Sequence, residues 1–179
     1  GSCSNYSRMF LHFLHALTND RDRVQVFLFG TRLTNITRAL KRRDVDEALG
    51  KVSHAVKDWS GGTRIGSALR EFNYRWARRV LTQGAHVLLM TDGLERDDLT
   101  LLAHEMQRLR RQTKHITWLN PLLRYDGFQA LAGGIRVLMP EVDEFRPVHS
   151  LNSLAELAQS LAGRPGPAHD PRRWIAATH

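Results

Sequence analysis

Segments with the apolar spacing of amphipathic helices alternate along this chain with short, continuously apolar runs. Residues 5–18 place apolar side chains at positions i, i+3, i+4 and i+7, which predicts a helix. Residues 23–29, 86–91 and 116–119 are β-rich runs that end at polar or glycine residues, which is typical of strands in a mostly parallel sheet. The alternation predicts an α/β fold: a doubly wound, mostly parallel sheet with helices on both faces.

The same patterns predict the remaining elements. Asp44 with Glu47, and Ser153 with Glu156, resemble capping boxes that open helices. Further helices are predicted at residues 44–56, 65–80, 99–109, 125–131 and 153–161, and further strands at 33–36, 135–139 and 145–148. The length of 179 residues suits one domain, placed at 1–161, followed by a Pro-, Gly- and Arg-rich tail at 162–179.

Composition excludes several classes of protein. No apolar run approaches the roughly 18 residues of a membrane span. The single cysteine, Cys3, excludes an intrachain disulfide and a cysteine-rich metal site. Because disulfides are typical of oxidising compartments, this composition favours a cytoplasmic protein.

The chain is basic, with 26 Lys and Arg against 18 Asp and Glu and a net charge of +8. Such a balance favours acidic partners, including nucleic acid. The basic residues are dispersed, however, and the groups at 75–79 and 108–114 lie on predicted helices, so we interpret them as solvated helix faces. The sequence contains no recognisable nucleic-acid-binding motif, and we expect a nucleic-acid partner to be the less favoured alternative.

Polar residues with hydroxyl or carboxylate groups follow the predicted strands. Asp92 comes directly after the strand at 86–91, Thr63 follows a glycine pair just before a helix, and Ser2 precedes the first helix. In open α/β sheets, ligands bind outside the carboxyl ends of the strands. Oxygen ligands of this kind suit a hard cation such as Mg²⁺.

Five short segments of the sequence resemble a known family, and its three motifs occur here in the family's order. Residues 1–9, 61–66 and 89–93 resemble the three motifs of a metal-ion-dependent adhesion site, and residues 118–122 and 147–154 add further matches. The chain is thereby identified as resembling a von Willebrand factor A domain of the CoxE-like family. The resemblance covers residues 1–161.

The resemblance implies a non-catalytic, metal-dependent protein-binding module. Its metal ligands would be Ser2, Thr63 and Asp92, and the metal would be Mg²⁺ or Mn²⁺. The metal would keep one coordination position open for a carboxylate of a partner protein. The first central strand, with the Asp of its motif, is not in residues 1–179, so we expect metal binding to be weakened. CoxE-like proteins resemble accessory factors that act with a MoxR-type AAA+ ATPase in the maturation of a metalloenzyme such as carbon monoxide dehydrogenase.

Two alternative functions stay open at this point. A metal-dependent hydrolase centred on Asp92 would need a second carboxylate, for which Glu95, Asp97 and Asp98 are near in sequence. A basic nucleic-acid-binding domain is the other alternative. The sequence contains no Gly-x-Ser-x-Gly, His-Glu-x-x-His or Walker A motif, so we expect no enzyme activity.

Overall fold

The computed structural model contains the predicted alternation of helices and strands. It describes residues 4–20, 23–29, 32–55, 64–82, 84–91, 98–120, 133–147 and 151–161. The helices are α1 Ser4–Asp20, α2 Thr37–Leu40, α3 Val45–Ala55, α4 Ile65–Arg75, α5 Ala77–Val80, α6 Leu99–Gln112, α7 Gly133–Leu138 and α8 Leu151–Leu161. The strands are β1 Phe27–Phe29, β2 Leu33–Asn35, β3 His86–Met90, β4 His115–Asn120 and β5 Glu144–Pro147. The described chain divides into two compact units, residues 1–64 and 65–179.

In the first unit, α1 packs against α2 and α3 and a short hairpin accompanies them. Strand β1 pairs antiparallel with β2, so the prediction of a parallel strand over residues 23–29 was wrong in both direction and length. Asn19 near the end of α1 donates through Nδ2 to the carbonyl of Leu40 over 2.9 Å, which ties α1 to α2. Thr37 accepts a 2.8 Å hydrogen bond from the amide of Val26, which ties α2 to the chain entering β1.

In the second unit, β3, β4 and β5 form a parallel sheet in that order. This sheet confirms the predicted α/β class. Its buried side chains are mostly large and apolar, because strands in parallel sheets are covered by the helices that connect them. The largest fully buried side chains of this unit are Trp118, Phe145, Ile65, Leu102, Met106, Leu109, Ile116, Leu119, Leu138 and Met139.

Three further predicted elements differ from the structure. The helix predicted at 65–80 breaks at Trp76, whose backbone angles of −117° and −31° separate α4 from α5. The strand predicted at 135–139 is instead α7 followed by a 3₁₀ turn at Met139–Glu141, since Ile135 and Leu138 are buried on one helical face while Arg136 is exposed. Helix α8 begins at Leu151, two residues before the predicted capping box at Ser153.

The other boundaries agree with the patterns that predicted them. Helix α6 begins after Asp98, whose Oδ1 accepts the amide of Thr100 over 2.9 Å as an N-terminal cap. Asp44 accepts the amide of Asp46 in the same way before α3. The helix predicted at 125–131 and the tail from residue 162 lie outside the described residues.

Candidate functional site

The carboxyl ends of β3 and β4 place two polar residues side by side. Met90 pairs with Leu119, and the amide of Thr91 donates to the carbonyl of Leu119 over 3.1 Å. Thr91 and Asn120 are both buried, at 7% and 0% exposure. Two buried polar residues therefore lie at the carboxyl ends of the strands, outside which ligands bind in open α/β sheets.

Trp118 fixes the backbone that leads from β3 into this edge. Its indole Nε1–H donates to the carbonyl of Thr91 over 2.8 Å, and its ring lies 4.5 Å from the ring of Phe145. The side chain is fully buried, so the indole cannot exchange this bond for water. Trp118 thus positions the residue that immediately precedes Asp92. The sequence marked Trp118 only as part of a family match, because a hydrogen bond between strands depends on their pairing.

The start of α4 is held against the start of α6 by close backbone contact. A Cβ added to Gly66 would lie 3.1 Å from the amide nitrogen of Leu102 and 3.3 Å from its Cα. Ile65, one residue earlier, is fully buried. This contact therefore fixes the first residues of α4 within the second unit.

The three predicted metal ligands, Ser2, Thr63 and Asp92, lie outside the described residues. The metal site therefore stays a prediction. Within the described ranges, no group of three or more His, Cys, Asp or Glu side chains could hold a metal ion.

A second polar cluster, which the sequence did not predict, lies at the amino end of the same sheet. Asp143 accepts from both Nη1 and Nη2 of Arg110, the latter at 2.8 Å, and from the amide of Ile116 at 2.8 Å. His115 Nε2 lies 2.7 Å from Glu144 Oε1, and Arg146 Nε donates to Glu144 Oε2 over 2.8 Å. Each carboxylate in this cluster therefore has an arginine partner.

His86 and His115 face each other across β3 and β4 in this cluster. Their ring centroids are 4.4 Å apart in an edge-to-face arrangement, and His86 Nε2 lies 2.9 Å from Thr117 Oγ1. Burial lowers the pKa of His86 below its ordinary value of 6.5, and the neighbouring His115 lowers it further. The charges of Glu144 and Asp143 raise the pKa of His86, but by less. His86 therefore resists protonation in the folded protein.

The carboxyl groups of the cluster keep their charge to low pH. Burial raises the pKa of Asp143, but hydrogen bonds from Arg110 and Ile116 more than offset it, so the pKa falls below 3.8. Burial likewise raises the pKa of Glu144, and the bonds from Arg146 and His115 bring it below 4.5. Because these groups neutralise one another, the cluster serves to join β4, β5 and α6. The signal that could have revealed it is that His86, His115 and Glu144 each begin a strand, and parallel strands bring their first residues to one edge.

One family of known proteins matches most of this chain. The family model for a VWA domain containing CoxE-like protein matches residues 1–154. The Rossmann-like fold of that domain agrees with the parallel sheet of the second unit. Within the described residues, no helix has both the length and the apolar character needed to cross a membrane. A search of curated proteins finds no match. The matched family model, over most of the chain, shows that the protein belongs to the CoxE-like family of von Willebrand factor A domain proteins.

Proposed function

We propose that this chain is a non-catalytic, metal-dependent module that binds a carboxylate of a protein partner. The observation that carries the proposal is the Trp118 hydrogen bond, because it holds the backbone immediately before Asp92 at the ligand-binding edge of the sheet. Membership of a protein-binding domain family supports the same conclusion.

The residue types proposed for the site suit a hard cation. The proposed ligands Ser2, Thr63 and Asp92 offer hydroxyl and carboxylate oxygens. Mg²⁺ takes such ligands and retains several waters. Ser2, Thr63 and Asp92 would hold the metal, which would supply an open position for an acidic side chain of the partner.

The proposed partner is a MoxR-type AAA+ ATPase, and the proposed process is maturation of a metalloenzyme such as carbon monoxide dehydrogenase. This proposal follows from the CoxE-like family, whose members resemble accessory factors of that kind. The basic charge of +8 supports an acidic partner, since opposite charge accelerates encounter while the metal contact sets specificity.

Titration calorimetry with Mg²⁺ and Mn²⁺ tests the site. We expect Asp92→Ala to weaken metal binding by more than about tenfold, since even outer-shell partners of metal ligands are worth about 10- to 100-fold. Thr63→Ala should act in the same direction but more mildly. Trp118→Phe keeps the aromatic packing and should lower metal affinity through the loss of the Thr91 bond. Asp46→Ala removes an exposed carboxylate on α3 and serves as the matched control.

Capture of the ATPase tests the partner. We expect the wild-type chain and Asp46→Ala to retain the ATPase in Mg²⁺ and to release it in chelator, and Asp92→Ala to retain none. If chelation and Asp92→Ala both leave capture intact, the metal-dependent proposal is wrong.

A further inference from the structure

Helices α4 and α6 pack side by side, and their polar contacts establish which faces meet. Asn73 on α4 donates through Nδ2 to the carbonyl of Glu105 over 3.0 Å, and Gln112 on α6 donates to Asn73 Oδ1 over 3.4 Å. Both Asn73 and Glu105 are buried. The seam between the two helices therefore runs along Asn73, Glu105 and Gln112.

On each helix, apolar side chains lie to one side of this seam and basic or aromatic ones to the other. On α4, Ile65 and Leu69 are buried, whereas Arg70 and Tyr74 are exposed. Positions three and four apart share a helix face, so Arg70 and Tyr74 lie together on the outer side. The corresponding outer residues of α6 are His104, Arg108 and Arg111, opposite the buried Leu102, Met106 and Leu109. We call Arg70, Tyr74, His104, Arg108 and Arg111 the seam surface.

The charge of the seam surface is positive, because the carboxylates of both helices are already paired. Helices α4 and α6 contain two acidic residues, Glu71 and Glu105. Glu71 pairs with Arg75 at 3.2 Å, and Glu105, only 1% exposed, pairs with Arg108 at 2.9 Å. Among the described residues, Arg70 and Arg111 have no carboxylate partner.

Helix dipoles do not account for this placement of charge. Cations in the last turn of a helix are stabilised by the dipole, which explains Arg75 and Arg111. Arg70 and His104 lie in the middle of their helices, where the dipole has little effect. Two of the residues interpreted as a solvated face at 108–114, Arg108 and Arg110, also form ion pairs with Glu105 and Asp143.

The seam surface also offers shape and aromatic contact area. Tyr74 is 84% exposed, far more than Leu99 at 41%, the other exposed large apolar side chain among the described residues. His104, Arg108, Arg111 and Gln112 line an open depression of about 400 Å³. Exposed tyrosine and arginine are the residue types enriched at protein interfaces.

We propose that the seam surface docks an acidic helical segment of a partner protein. His104, Arg108 and Arg111 are spaced i, i+4 and i+7, and they form a row about 10 Å long. Carboxylates on a partner helix pair with Arg70 and Arg111, whose charges no described carboxylate neutralises, and an apolar side chain on that helix covers Tyr74. The proposal goes beyond the metal-dependent binding above, because none of Ser2, Thr63 or Asp92 takes part in it.

The surface fits a protein better than a nucleic acid. Binding to single strands relies on several aromatic side chains that stack successive bases, and the seam surface has one, Tyr74. Binding to a duplex relies on about 6 to 10 phosphate contacts, more than the three arginines and one histidine of the seam surface supply.

Fluorescence anisotropy with a labelled acidic peptide tests the proposal. The probe is a Glu-rich helical peptide of about five turns with a leucine at each heptad, and a peptide with Gln in place of Glu is the uncharged comparison. All measurements are made in chelator, so that the outcome does not depend on the proposed metal site. Arg70→Gln with Arg111→Gln should weaken binding about 5- to 10-fold, as expected for two exposed ion pairs. Arg108 is left in place because it neutralises the buried Glu105.

The matched control is Arg43→Gln with Arg136→Gln, which removes the same charge from two exposed positions outside the seam surface. We expect this control to change affinity by less than about twofold, and Tyr74→Ala to weaken binding while leaving net charge unchanged. Equal weakening by the two arginine pairs would mean that net charge alone drives binding, and would overturn the proposal. Tighter binding of a mixed-sequence single-stranded DNA than of the peptide, with the same sensitivity to Arg70 and Arg111, would overturn it in favour of a nucleic acid.

Discussion

Asp143 joins three elements through one carboxylate. It binds Arg110 of α6 through two hydrogen bonds and the amide of Ile116 in β4, and it immediately precedes β5. Hydrogen bonds to charged groups contribute more than neutral ones, about 1.5–3 kcal/mol each when partly buried. We therefore regard Asp143 as the main polar connection at the amino end of the sheet.

The stability of the second unit should fall as the pH is lowered. Asp143 and Glu144 have folded pKa values below their ordinary 3.8 and 4.5, so their stabilisation is present above those values and is lost as pH falls through the folded ones. The lowered pKa of His86 acts in the same direction, because the unfolded chain binds its proton first as pH drops below 6.5. We expect the melting temperature, followed by circular dichroism, to decline between pH 7 and pH 3.

The substitution Asp143→Asn distinguishes the contribution of this cluster to the pH dependence of stability from the contributions of other acidic groups. At pH 7 the variant should lose about 1–3 kcal/mol of unfolding free energy, and its stability should depend less on pH than that of the wild type. Identical pH profiles for the two proteins would contradict the assignment.

The residue scale also shows what local patterns can predict. Asp92 and Thr63 were predicted as metal ligands because each lies directly beside a predicted element, and their role stays a prediction. Trp118 binds a carbonyl 27 residues away and Arg110 binds a carboxylate 33 residues away, so neither contact leaves a local signal. Such contacts become predictable only once the register of β3, β4 and β5 is known.

At the scale of elements, periodicity predicted helices and strands wherever one face was clearly apolar. It failed at residues 135–139, where a short apolar run fits a strand and a helix equally well and the burial of Ile135 and Leu138 decides for a helix. It also missed the break at Trp76, since the apolar stripe continues across it into α5.

Gly66 allows α4 and α6 to approach closely, and Gly66→Ala should disrupt that contact. The new Cβ would meet backbone atoms of Leu102, which cannot move aside as a flexible side chain would. We expect a loss of about 1–3 kcal/mol in unfolding free energy, measured by urea denaturation. Gly50→Ala, on α3, is the matched control because nothing lies within 4 Å of its added Cβ, and it should stabilise by about 0.5–1 kcal/mol. A stabilised Gly66→Ala would show that the two helices can separate without cost.

At the scale of the whole molecule, each of the two units contains its own sheet. Among the residues that the structure describes, β3 is the first strand of the second unit's sheet and pairs on one side only, with β4. Its sequence His-Val-Leu-Leu-Met contains neither lysine nor proline, the residues that usually protect an edge strand. The alternation of helices and strands along the sequence predicted the parallel sheet. The order in which the strands pair depends on the folded chain, so the alternation alone could not predict it.

This edge should promote self-association of the chain. We expect sedimentation velocity to show a mass that rises with protein concentration, because an unprotected strand pairs with a strand of another molecule. Val87→Lys, which adds a charge to β3, should shift the distribution toward monomer. Val137→Lys on α7 adds the same charge at another half-buried position and should not. Equal behaviour of the two variants would exclude the β3 edge as the site of association.

The order of the parallel sheet also has a consequence for synthesis on the ribosome. The strands β3, β4 and β5 lie side by side in the order in which they are translated, so each arriving strand pairs with the one made just before it. Translation from the end of β4 at Asn120 to the end of β5 at Pro147 takes about 1–5 s at about 5–20 residues per second. During that interval β5 is not yet in place, so we expect the edge of β4 and the side of Trp118 that Phe145 later covers to be accessible. We therefore expect the half-made sheet to be a substrate for chaperones that bind nascent chains.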